Sequence, residues 1–299
     1  MRVLVLGATG MLGTDLLEEW QNSRQDLARD DLIPAGSQDA DIRDAAAVDR
    51  LVGKTRPDWI IVCAAYTDVD GCEQNRDLAF AVNAAGVGNV ARAAEKIAAR
   101  VFLVSTDYVF DGQGTRPYET SDPIAPINVY GASKAAGEEA LEKCSSAWCI
   151  GRTSWLFGMH GPSFPEKILK AAETRPELSV VDDQTGSPTY TRDLAAAICG
   201  LVGKEARGTV HINNEGVCSW YDFAREILAE SGRASVPVRP ISTEQSARRA
   251  RRPHYSVLSP ASLHAFGIRM RPWQEALRAF LEESGKRKIP STGWPDDRR

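Results

Sequence analysis

The chain has 299 residues, enough for one large domain or two ordinary ones, and its 43% hydrophobic and 25% charged residues are those of a soluble globular protein. A net charge of −4 gives no ground for a nucleic-acid partner. No run approaches the roughly 18 apolar residues of a membrane span, and the opening MRVLVLGATG meets glycine too soon to be a signal peptide. The six cysteines show no CxxC spacing and the four histidines are isolated, so we expect reduced cytoplasmic thiols and no intrinsic metal site.

In chain order, RVLVL (2–6) reads as a strand, followed by the turn GATGMLG and an amphipathic helix through Trp20. LIPA near residue 32 reads as a second strand, 41–52 as a helix with an acidic start, and WIIVCAA (59–65) as a buried strand. An alanine-rich helix over 79–99 leads to the buried strand RVFLVST (100–106), a helix from Val129 to Lys143 and a strand starting at 147. Uniformly apolar strands alternating with helices predict a Rossmann-type, doubly wound parallel α/β sheet over 1–158. After Gly158 proline, arginine and tryptophan become more frequent. Helices over 162–175 and 219–232, with short strands at 178–183 and 208–214, predict a smaller C-terminal α/β substrate lobe over 159–285. Segments from about 182–216 are expected to return to the sheet domain, and 286–299 to form a loose tail.

Gly7, Gly10 and Gly13 form GxxGxxG between a strand and a helix. Glycine allows the tight turn and a close approach of backbone amides, and the helix start favours a diphosphate. An NAD site often carries an acid about 20 residues on, at the end of the second strand, to hold the ribose hydroxyl. Ala35-Gly36-Ser37 has none there, which permits NADPH and leaves NADH open. Asp41 and Ile42 come later and are candidates for the adenine pocket, with a plain helix cap as the alternative for Asp41.

Tyr130 and Lys134 stand four residues apart, one turn on the same helix face. A free tyrosine has a pKa near ~10, and an ammonium about 5 Å away at an effective dielectric of about 20 would favour the phenolate by about 3 kcal/mol, bringing it towards ~8. That is a usable acid for reducing a ketone, which takes a hydride on carbon and a proton on oxygen.

The segments AAYTDVDGCEQN (64–75), STDYVFDG (105–112) and VYGASK (129–134), with the glycine turn, resemble the extended short-chain dehydrogenase/reductase family, and within it the dTDP-4-dehydrorhamnose reductases. The likeness continues through RTSWLFG (152–158), DDQTGSPT (182–189), RRPHYSVLS (251–259) and WQEALRAFLEE (273–283), so it covers nearly the whole chain. It implies Tyr130 as general acid, Lys134 as its partner and Thr106 as the hydroxyl completing the catalytic set. It implies that Met11, Leu12, Ala64, Ala65, Tyr66 and Thr67 join the glycines in binding NADPH or NADH. It also implies that Thr106, Asp107 and Trp155 meet a nucleotide-sugar substrate, with Arg252 the favoured diphosphate contact in the basic run 248–252. Gln184, Gly186 and Thr189 match a family motif between the lobes. Tyr108 stands where dehydratases of the wider family carry glutamate, which argues against dehydration. Tyr255 and Ser163-Phe164 depart from the family pattern and leave the exact sugar nucleotide open. Some relatives dimerise through a magnesium site of glutamates; no such set is identified here, and a monomer or a homodimer is expected. The rival readings are a ketoreductase or epimerase acting on another nucleotide sugar, and a non-catalytic NADP-binding regulatory subunit like that of methionine adenosyltransferase.

Overall fold

The computed structural model describes residues 1–23 and 31–287, so the expected tail lies, from residue 288 on, outside the described residues. The chain opens with β1 (Arg2–Leu6) and passes through the glycine turn into α1 (Met11–Ser23). β2 (Asp31–Ala35), α2 (Ala45–Thr55) and β3 (Trp59–Val62) follow. Short helices α3 (Val69–Gln74) and α4 (Arg76–Phe80) run into a π-helical turn, Ala81–Gly86, and then α5 (Val87–Glu95). β4 (Arg100–Thr106), α6 (Val129–Cys144) and β5 (Trp148–Thr153) complete the first half.

The second half begins with β6 (Leu156–Phe157), α7 (Phe164–Thr174), β7 (Leu178–Val181), β8 (Thr185–Gly186) and β9 (Thr189–Tyr190). It continues with α8 (Thr191–Gly203), β10 (Gly208–His211), β11 (Cys218–Ser219) and α9 (Trp220–Glu230). β12 (Val238–Ile241), α10 (Ala261–His264) and α11 (Trp273–Glu283) close it.

Six strands form one sheet in the order β2-β1-β3-β4-β5-β10, parallel throughout. Alternate residues face opposite layers. Val3, Val5, Ile61 and Phe102 pack on α1 and α8, while Leu4, Leu6, Ile60 and Leu103 pack on α2, α5 and α6. Burial on both faces explains why these strands read as unbroken apolar runs. β10 and α8 come from the second half yet complete this sheet and its cover. A separate aromatic core, with Phe157, Tyr190, Phe223, Trp273 and Phe280, joins α7, α9 and α11. Strand order reverses between β1 and β3, and ligands of such sheets bind outside the carboxyl ends at that point.

Two local readings change. The cap of α2 is Asp44, whose carboxylate accepts from the Ala46 and Ala47 amides, so the helix starts later than residue 41. The alanine-rich helix is broken by the π turn, which carries Asn83 inward to a 1% exposed position. Among the described residues no helix is long and apolar enough to cross a membrane.

Candidate active site

The carboxyl ends of β1, β3, β4 and β5 open onto a cleft of about 460 Å³, with α6 along one wall and Trp155 and Trp220 on another. Its glycine floor is built by close approach. Gly7 has φ +83°, and a Cβ there would lie 2.5 Å from the Ala64 amide nitrogen. A Cβ on Gly13 would lie 2.2 Å from the Gly7 carbonyl oxygen. These contacts draw the start of α1 against the crossing of β1 and β3, leaving Gly10, Met11, Leu12 and Gly13 on the cleft. A backbone cradle with no side chains over a helix start fits a dinucleotide diphosphate.

Cys63, Ala65 and Thr67 line the same cleft after β3. Tyr66 does not; its amide and carbonyl are held by the Asn83 side chain at 2.8 and 3.0 Å, which fixes the path of 64–67. Asn83 was missed in the sequence, and the apolar AVNAAG around it was the available signal. Ile42 faces the core at 5% exposure, a Cβ on Gly86 would meet its side chain, and its carbonyl accepts from Asn89 at 2.9 Å, so its side chain does not line the cleft. Asp41 is bound by Arg43 at 2.9 Å on the surface, and this guanidinium holds its carboxyl below the usual range.

Asn128 caps α6 through the Gly131 amide, and Glu73 accepts from the Val129 amide. A Cβ on Gly131 would strike the Tyr108 carbonyl at 2.0 Å, and one on Gly137 the Asn83 carbonyl at 2.1 Å. Both glycines therefore let α6 sit tightly against the turn after β4 and the π turn. That contact brings Tyr130 onto the same cleft as Thr106, close enough for the threonine hydroxyl to act on the phenol's titration, and its ring edge meets Tyr108 at 5.8 Å.

Lys134 is 2% exposed and donates from Nζ to the Val104 carbonyl at 2.7 Å. Burial pulls its pKa down to about 8, against the opposing effect of Glu138. The expected lowering of the Tyr130 pKa is not what the structure gives. Burial pushes this phenol above its ordinary value, with Thr106 only partly offsetting it. The reason is that desolvation of the anion dominates, with Asp107 and Cys72 acting in the same direction.

Thr106 Oγ1 donates to Asp107 Oδ1 at 2.9 Å and accepts from the Tyr108 amide at 3.2 Å. Asp107 is 2% exposed, and burial raises its pKa to about 7 against the Ser256 and Thr106 hydroxyls. Beneath this set the buried Glu138 accepts from Ser105 at 2.5 Å and pairs with Arg152 at 2.7 Å. Sequence reasoning did not find Glu138 or Arg152, although Glu138 lies one helical turn beyond Lys134.

A model of the RmlD substrate binding domain family matches residues 1–285. The chain belongs to this family. It is 42% identical to the spore coat polysaccharide biosynthesis protein SpsK of Bacillus subtilis, over 94% of this chain and 97% of that one. It is 40% identical to a dTDP-4-dehydrorhamnose reductase of Mycobacterium tuberculosis, over 97% of each chain. The crystal structure of a Bacillus anthracis dTDP-4-dehydrorhamnose reductase in complex with NADP superposes with a TM-score of 0.90 at 41% identity, covering 94% of this chain and 99% of that one.

Within this RmlD-family chain, Trp155 takes φ +48° and its ring stacks on Trp220 at 3.6 Å and 8°. Gly186 makes room for it, since a Cβ there would lie 2.5 Å from the indole. Trp220 was not singled out from the sequence. Gln184 is buried and donates to Thr243, and the Thr189 amide donates to the Trp155 carbonyl. Arg252 does not line the cleft. Its guanidinium forks onto Asp70 at 2.7 and 2.9 Å and reaches the Tyr108 hydroxyl from behind. Among the described residues one group of possible metal ligands, Asp15, Glu18 and His160, lies at α1 and the loop after β6, where Asp15 is bonded to Thr191 and Glu18 faces Arg192.

Proposed function

We propose that this chain reduces the C4 ketone of dTDP-4-dehydro-L-rhamnose to dTDP-L-rhamnose, with NADPH as hydride source and Tyr130 as proton donor. The observation that carries the reading is that Tyr130, Thr106 and Lys134 line one cleft, at the sheet end that also holds the glycine cradle. The named relatives supply the substrate class, and the Bacillus anthracis relative was solved with NADP.

NADPH, when bound, supplies the hydride. Gly7, Gly10 and Gly13, with Met11 and Leu12, would receive its diphosphate, and Ala64, Ala65 and Thr67 its middle portion. Thr106 and Tyr130 would hold the ketone oxygen between two hydroxyls. Tyr130 then gives its proton to that oxygen as the carbon takes the hydride. A phenol held above its ordinary pKa keeps its proton until the oxygen becomes strongly basic, which suits a donor timed to the transition state. Lys134 would fix the floor of the site through its bond to the Val104 carbonyl of β4. Trp155 and Trp220 offer flat apolar walls for the sugar or base.

The test is to mix the protein with dTDP-4-dehydro-L-rhamnose and NADPH, follow cofactor absorbance and identify the sugar formed. Stoichiometric dTDP-L-rhamnose is expected. NADPH binding without turnover would favour the regulatory-subunit reading, and preferential turnover of another 4-keto nucleotide sugar the alternative ketoreductase.

A further inference from the structure

A buried ion pair supports the cleft without lining it. Glu138 is 2% exposed and Arg152 3%, and neither belongs to the cleft wall. Arg152 forks onto the carboxylate, Nη2 donating to Oε2 at 2.7 Å and Nε to Oε1 at 3.0 Å. Ser105 Oγ donates to the same carboxylate at 2.5 Å. Ser105 of β4 and Arg152 of β5 are register partners, so one side chain of α6 takes donors from both strands at one level. The next register pair is Thr106 and Thr153, and both line the cleft.

One helical turn before Glu138, Lys134 donates to the Val104 carbonyl of β4 at 2.7 Å. Helix α6 is thus pinned to β4 at successive strand residues, Val104 and Ser105, immediately before Thr106. One turn before Lys134 stands Tyr130, on the cleft. Stability alone does not account for the pair. Taking both charges out of water costs about what their attraction returns, and apolar residues of similar volume often serve a fold as well or better. Arg152 also leaves Nη1 buried without a partner, which is a further cost. What an apolar pair lacks is direction: a bidentate fork fixes where the carboxylate lies.

We propose that Glu138 is a positioning residue for the reduction, holding the helix that carries Tyr130 and Lys134 at a fixed height against the strand that carries Thr106; this rests on the reductase reading above. Glu138 touches neither substrate nor cofactor. It acts through Ser105, through Arg152 and through the turn of α6 that bears Lys134. A misplacement of about 1 Å caused by a change far from the reacting atoms can cost about 100-fold in rate.

The experiment compares two variants with the wild type. Glu138→Leu combined with Arg152→Met removes both charges together and fills the space with apolar side chains. Glu138→Asp keeps the charge and shortens the reach by one methylene. For each protein the urea midpoint, the Kd for NADPH, and kcat and KM for dTDP-4-dehydro-L-rhamnose are measured. The double variant should keep a urea midpoint at or above that of the wild type. It should bind NADPH as the wild type does, and its kcat should fall roughly 10- to 100-fold with KM little changed. Glu138→Asp should show the same split with a smaller loss, and it decides the matter if the double variant does not fold. A purely structural pair gives the opposite pattern, a lowered midpoint with wild-type kcat per folded molecule. That pattern overturns the proposal, as does a kcat that falls only in step with NADPH binding. Absence of any wild-type turnover would instead overturn the reductase reading itself.

Discussion

Burial moves Asp107 from the ordinary carboxyl value of 3.8 to about 7, and the sign of that change fixes a stability dependence. A raised pKa means that the native chain holds the proton more tightly than the unfolded chain. The contribution is complete below about pH 3.8 and is lost as the pH rises through about 7. A change of that size corresponds to about 4 kcal/mol at most. Asp107→Asn cannot ionise, so its stability should gain on the wild type by up to that amount between about pH 4 and pH 8. Urea titrations at both ends check it, and a difference between the proteins that does not change with pH contradicts it. At this scale the sequence picked out Thr106, Tyr130 and Lys134, which line one cleft, but not its electrostatics. Tyr130 and Lys134 were legible from spacing, yet the direction in which Tyr130 shifts depends on how dry the phenol is, which spacing does not encode. Glu138 and Arg152 were illegible for a related reason: a buried ion pair joins α6 to β5, and nothing local marks either partner.

The elements that hold the site are positioned by glycines at contacts with backbone. Gly137 of α6 faces the Asn83 carbonyl, where a Cβ would come within 2.1 Å, and neither partner is a flexible side chain. Gly137→Ala should therefore push α6 off the π turn, costing about 1–3 kcal/mol in stability and lowering kcat as Tyr130 and Lys134 move with the helix. Gly53, inside α2, is the control, with no atom within 4 Å of a Cβ built on it. Gly53→Ala should stabilise by about 0.4–1 kcal/mol and leave turnover alone. Chemical denaturation of the two variants checks the pair, and equal effects would contradict the packing account. The parallel strands were legible because both faces are buried, which makes the run apolar throughout. The π turn was not, because Ala81–Gly86 satisfies helical periodicity and departs from it only through the packing of Asn83 and Gly137. Helix α8 escaped for another reason: its sequence, TRDLAAAICGLVG, is apolar nearly all round and offers no polar face to set a period.

Across the whole molecule, the first half, which carries the glycine turn, Thr106 and Tyr130, is tied to the second half at Asp70 of α3 and Arg252. Burial limits this pair only partly, and Arg252 holds the Asp70 carboxyl down at about 2. A depressed carboxyl pKa stabilises the native chain above the unfolded value of 3.8, and that stability is lost as pH falls towards 2. Asp70→Asn should abolish this acid-sensitive part, about 2 kcal/mol. Arg252→Ala should cost a similar amount, and the double variant less than the sum. An Arg252→Ala protein of unchanged stability but raised KM would place the diphosphate on this guanidinium instead. The basic run was legible as a cluster, but its partner sits 182 residues away and could not be paired from sequence. The central claim is that Tyr130 is the proton donor in a cleft where the glycine cradle independently holds the cofactor. Its most direct test is Tyr130→Phe, with kcat on dTDP-4-dehydro-L-rhamnose and the Kd for NADPH measured on one preparation. The account predicts a loss of kcat of roughly 10²- to 10⁴-fold with NADPH affinity retained; a kcat near wild type would contradict it.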